Sequence, residues 1–161
     1  MKSPTTVERK SERELVVTRT FNGPARILFE AWTKPELIKR WWTPKSFGMT
    51  FVSCEADVRT GGTYRFVFSH PDFPQPVAFH GRYIEVTPNS RIVWTNEEGA
   101  DGPISTVTFE EKDGKTLLTL QELYPSKKAL DDAIESGSTG TSGASEQFEE
   151  LDKVLATLVK Q

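Results

Sequence analysis

One cysteine and two histidines are all the thiol and imidazole chemistry this 161-residue sequence carries. Each scarcity removes a class of function. A lone thiol, Cys54, leaves no internal disulfide framework and suits a reducing compartment, so the expected location is the cytoplasm. His70 and His80 have no HExxH neighbour and no paired CxxC, so neither a metal centre nor a cofactor is expected. No run of about 18 apolar residues is present, and the opening "MKSPTTVERKSERE" lacks the apolar core of a signal peptide. Membrane insertion is therefore not expected. The net charge is −3 with lysine and arginine scattered, which argues against a nucleic-acid partner, since such partners call for a basic stripe. No GxSxG elbow occurs, and "RTGGT" lacks the spacing and the lysine of a phosphate loop. What remains, 36% apolar and 27% charged residues, describes a globular chain large enough to bury a core.

The order of elements is informative. Residues 1–13 read as a flexible tail, and residues 14–161 as one domain. "ELVVTRTF" (14–21) is β-branched and strand-like. "NGP" follows as a helix start, with Pro24 at the first helical position and Asn22 or Gly23 as cap. Ala25, Leu28, Phe29 and Trp32 then form an apolar stripe. Thr33 and Glu36 have capping-box spacing for a second short helix, on which Leu37, Ile38 and Trp41 share a face. The adjacent Trp41 and Trp42 point about 100° apart on a helix, so one core cannot easily hold both. Trp41 is assigned to the core and Trp42 to its rim.

Strand signals then succeed one another: "MTFVSCEADV", "TYRFVFS", "VAFHGRYIEV", "SRIVWTN", "ISTVTFEE" and "KTLLTLQEL". Short turns join them, and the Asp-Gly of "KDGK" is the strongest hairpin signal. "PSKKALDDAIESG" reads as a short helix capped by Ser126, and "SGSTGTSG" as a flexible hinge. The last segment carries Phe148, Leu151, Val154, Leu155 and Leu158 at helical spacing over roughly 16 residues. This pattern is α+β: a curved antiparallel sheet of six to seven strands gripping a long C-terminal helix, with two short helices after the first strand. Burying Phe148, Leu151, Leu155 and Leu158 against the sheet contributes about 6–12 kcal/mol before entropy.

The pieces "FNGPARILFEAWTKPELIKRWWTP" (21–44), "DVRTGGTYRF" (57–66), "FHGRYIEVTPNSRIVWT" (79–95), "TLLTLQE" (116–122) and "FEELDKVL" (148–155) occur in an order that carries a resemblance. The chain resembles the bacterial domains named after the activator of the ninety-kilodalton heat-shock protein's ATPase. Those domains belong to the START-like, helix-grip (SRPBCC) superfamily, together with the major birch-pollen allergen and polyketide cyclases. The resemblance implies an apolar ligand held between the sheet and the long helix. The family's name also implies a possible chaperone contact, although nothing here resembles the second half of the eukaryotic co-chaperone. One departure is the Gly/Ser-rich hinge at 137–143, where a bulky apolar residue is expected.

The aromatic strand residues have two readings: plain core, or the wall of a cavity of a few hundred Å³. On the second, Trp42 and the hinge line the mouth. Phe66, Phe68, Trp94 and Phe109 form the sheet wall, Phe148, Leu151 and Leu155 the helix wall, and His80 or Tyr83 orients an apolar or aromatic small molecule. His80 otherwise serves as an ordinary core or surface histidine. A cyclase- or hydrolase-like enzyme is a further alternative, and it needs a cavity-facing acid or base from His80, Glu55 or Asp57. Glu55 and Asp57 are assigned to the outer face of their strand, because Val52, Cys54, Ala56 and Val58 make a better inner one. No catalytic residue is assigned. Cys54, mid-strand, reads as a small buried hydrophobe.

Overall fold

The computed structural model describes residues 5–43, 48–97, 102–136 and 144–159. Eight strands form one antiparallel sheet: β1 (Thr6–Arg9), β2 (Glu14–Phe21), β3 (Thr50–Ala56), β4 (Thr63–Ser69), β5 (Val77–Thr87), β6 (Arg91–Thr95), β7 (Ile104–Lys112) and β8 (Lys115–Leu123). Their spatial order is β1-β2-β8-β7-β6-β5-β4-β3. Strands β3 to β8 meander, and the last of them returns to pair with β2. The chain therefore leaves β2 near one edge and must reach β3 at the other. Helices α1 (Ala25–Thr33) and α2 (Pro35–Trp41) make that crossing. Helix α3 (Lys127–Ser136) and helix α4 (Ala144–Val159) complete the chain, which is α+β with a curved sheet as the sequence implies.

Each element forms for a local reason. The β7–β8 hairpin turns on Asp113 and Gly114, both at positive φ (56° and 77°), the pairing a type I′ turn requires. In β2, residues alternate strictly, and Leu15, Val17, Arg19 and Phe21 face the core. Ser126 caps α3 by accepting the N–H of Ala129 at 3.0 Å, as expected. The proposed Gly137 stop and the 137–143 hinge lie outside the described residues.

Several expectations are corrected. There are eight strands rather than six or seven, because part of the segment read as a tail, Thr6–Arg9, pairs with β2. All four of its residues are exposed, so no buried alternation marks it; its strand character comes from backbone pairing, and Arg9 adds an ion pair to Asp131 at 2.7 Å. Pro24 is the N-cap of α1 rather than its first residue, and the cap comes from another strand: Glu111 of β7 accepts the N–H of Ala25 at 2.8 Å. No capping box opens α2. The Thr33 hydroxyl bonds back to the Phe29 carbonyl at 2.9 Å, and Pro35 opens α2 instead. Val52 is exposed, because a bulge between Phe51 and Ser53 shifts the alternation and turns Phe51 inward.

The core lies between the sheet and α1, α2 and α4. From α4, Phe148, Leu151, Val154 and Leu155 are buried. Helix α4 sits over β2: Phe148 meets Phe21 edge-on at 5.7 Å, and Asp152 pairs with the buried Arg19. A second, smaller cluster of Leu15, Tyr124, Ala129 and Leu130 seats α3.

Candidate functional site

All four tryptophans of the chain collect in one place. Trp32 of α1 lies 4.7 Å from Trp41, 5.7 Å from Trp42 and 5.9 Å from Trp94, ring centre to ring centre. The neighbours Trp41 and Trp42 divide as their angular separation requires. Trp41 is fully buried and its indole N–H donates to the Ala31 carbonyl at 2.9 Å. Trp42, the C-cap of α2, is half-buried and turns its ring onto Phe66 of β4 at 5.3 Å. The Trp42 carbonyl is held by the side-chain amide of Gln147 on α4.

Between these rings and the sheet is a void lined by Trp32, Ile38, Trp42, Tyr64, Phe66, Tyr83, Ile92 and Trp94. Its volume is about 20 Å³, room for roughly one water at ~10–15 Å³ each and far below the ~300–1,000 Å³ of small-molecule sites. Of the two readings open to the aromatic residues, the structure thus lies near the filled one: the side chains occupy most of the hollow. Among the described residues, none that lines the void carries a charge. Seven of the eight are buried, and only Trp42 reaches the surface.

Two of the lining residues are tyrosines. Tyr64 donates its hydroxyl to the Thr95 carbonyl at 2.7 Å. Burial pushes the Tyr83 phenol well above the usual tyrosine range, with the nearby Cys54 and Asp57 acting in the same direction, so it stays protonated. Burial likewise raises the Cys54 thiol to about 11, against a smaller lowering by Lys39. That thiol is half-buried and held in its neutral form. The indole N–H of Trp32 is buried and has no acceptor among the described residues.

The sequence-derived wall is only partly assembled. Trp42, Phe66, Tyr83 and Trp94 come together on the void. Phe68 packs instead with Phe51 at 4.3 Å and Phe79 at 5.6 Å. Phe109 lies behind Trp32 at 6.2 Å and meets Phe29. Phe148, Leu151 and Leu155 are buried in the core but do not line the void, because α4 covers β2 while the void faces β4, β5 and β6. The helix-side wall is α1 and α2. His80 is exposed on β5 and off the void. Glu55 and Asp57 are exposed too, and Asp57 pairs with Arg59 at 2.8 Å. The enzyme alternative thereby loses all three of its named candidates from the cavity. Trp32, Ile38, Tyr64 and Ile92 line the void without having been singled out; Tyr64 and Ile92 each lie two residues before a chosen one, on the same strand face.

Comparison with known proteins fixes the family. Residues 22–156 match the family model "Activator of Hsp90 ATPase homolog 1-like protein". The chain belongs to this family. Among solved structures, a Rhodobacter sphaeroides protein superimposes with a TM-score of 0.83 at 24% identity, covering 96% of this chain and 99% of its own. A Nitrosomonas europaea protein gives 0.82 at 21% identity over 95% and 100%, and a Staphylococcus aureus protein of unknown function 0.66 at 20% over 99% and 98%. These likenesses establish a START-like fold for this member of the activator-homologue family. No curated protein matches the chain. Among the described residues, no group of three or more His, Cys, Asp or Glu side chains is placed to hold a metal, and no helix is long and apolar enough to cross a membrane.

Proposed function

We propose that this protein binds a small apolar or aromatic molecule beneath Trp42, in the cytoplasm to which its single thiol is suited, and that the Trp42 ring moves aside to admit it. One observation carries the reading. Seven buried, uncharged residues surround a void, and the eighth, Trp42, is the only one with a face to solvent. The void at rest holds no more than about a water, so an occupant gains its space from the Trp42 ring. Gln147 holds the Trp42 main chain, which leaves the side chain as the moving part. Affinity comes from desolvation of the occupant and from ring contacts inherited from Trp42. The chaperone-assisting alternative draws on the family name, and no described surface of this chain favours it.

Titration with a neutral propionyl-naphthalene dye tests the reading, together with native mass spectrometry of freshly purified protein. Dye fluorescence is expected to rise and shift to the blue on binding, with saturation at one equivalent. Trp42→Ala, which leaves the other seven walls in place, is expected to bind the dye more tightly and faster. Absence of uptake by both the parent protein and a folded Trp42→Ala protein would contradict the proposal.

A further inference from the structure

We infer that the molecule selected here is uncharged, is about the size of an indole ring system, and carries one hydrogen-bond acceptor that takes the indole N–H of Trp32. This rests on the cavity reading proposed above and specifies its ligand.

The acceptor follows from an unmet donor. Trp32 is 5% exposed and lines the void, and among the described residues its N–H has no partner. Buried donors are nearly always satisfied, and leaving one unmet is costly. The same cluster shows the ordinary outcome in Trp41, whose N–H reaches the Ala31 carbonyl at 2.9 Å. The two tryptophans differ in that Trp32 borders the void, which is large enough for a single oxygen atom and its hydrogens. The Tyr83 hydroxyl, kept protonated by burial, is a second donor on the same wall.

The absence of charge follows from the wall. Among the described residues no lysine, arginine or histidine lines the void, so a carboxylate or phosphate would be desolvated without a counter-ion from them. The size follows from the displacement. An entering ring takes the place of the Trp42 indole against Phe66 at 5.3 Å, Trp32 at 5.7 Å and Trp94 at 6.4 Å. Its acceptor then reaches the space beyond.

Three naphthalenes substituted at the same ring position separate these claims: the acetyl, the ethyl and the carboxylate compound. Dissociation constants are read by quenching of tryptophan fluorescence excited selectively over tyrosine, which reports on this cluster because it holds every tryptophan. Acetylnaphthalene is expected to bind roughly tenfold more tightly than ethylnaphthalene, and naphthoate more weakly than either. In Trp32→Phe the acetyl advantage should vanish while ethylnaphthalene binding persists. Equal affinities for acetyl and ethyl in the parent protein would overturn the hydrogen-bond assignment and leave the cavity reading standing. Tightest binding of naphthoate would overturn the uncharged class. Failure of all three to bind would overturn the cavity reading itself, and the inference with it. The acetyl-to-ethyl ratio is measured on the parent protein, so the outcome does not depend on the folding of Trp32→Phe.

Discussion

Trp41 and Trp42 share a dipeptide and little else: one is sealed in the core with its N–H satisfied, the other stands at the surface over an apolar void. Helical geometry makes that division readable from the two letters WW. The unmet N–H of Trp32 is not readable in the same way, because whether an indole finds an acceptor depends on a carbonyl from elsewhere in the fold. His80 shows a related limit. Its strand position left open a cavity-facing ring, yet it is exposed, since Gly81 and Tyr83 are the buried positions of β5 and His80 alternates with them onto the outer face. Residue chemistry also sets a pH dependence. The Cys54 thiol is raised from 9.0 to about 11 in the folded state, so the folded protein retains the proton that the unfolded chain gives up first. Its contribution to stability is therefore complete below pH 9 and is lost as pH rises toward 11. The melting temperature should fall across that window, and the fall should be shallower in Cys54→Ala. Between pH 6 and 8 no group on the void titrates, so ligand affinity should be flat there.

At the scale of elements, the long strands and α4 were legible because each keeps one period over many residues. Short or composite features were not. Strand β1 has four exposed residues and no alternation, and the β3 bulge breaks a count that otherwise runs smoothly from Val52 to Val58. The cap of α1 was sought among its own neighbours, Asn22 and Gly23, but comes from Glu111, 86 positions away in sequence. Glu111→Ala should cost roughly 0.5–2 kcal/mol in urea unfolding, and Glu111→Gln, which keeps an acceptor oxygen, should cost less. For α4 the anchor is Phe148, fully buried against Phe21; Phe148→Ala should destabilise by about 3–5 kcal/mol. The ion pair of Arg19 with Asp152 ties α4 to β2, with the Arg19 side chain 2% exposed. Asp152→Ala strands a buried guanidinium and should cost about 3–5 kcal/mol, whereas replacing both partners by apolar residues of similar volume should recover most of that loss.

Across the whole molecule, the sequence shows the succession of elements, and the succession fixes the α+β class. Spatial order is the part that succession conceals. Because β8 returns beside β2, helix α4 rests over the β2 side, and α1 and α2 become the partners of β4, β5 and β6 at the void. That rearrangement puts Phe66, Tyr83 and Trp94 on the void with Trp42, and Phe148, Leu151 and Leu155 in the core away from it. It also places three of the four tryptophans on one small space and Trp41 just behind them, which makes the central claim directly observable. The most direct test is a nitrogen–proton correlation spectrum of the four indole N–H groups during addition of acetylnaphthalene. The account predicts that the Trp32 and Trp42 signals move most, saturating together at one equivalent, with the Trp41 signal least affected. Indole signals that all stay in place while the compound is in excess would contradict it.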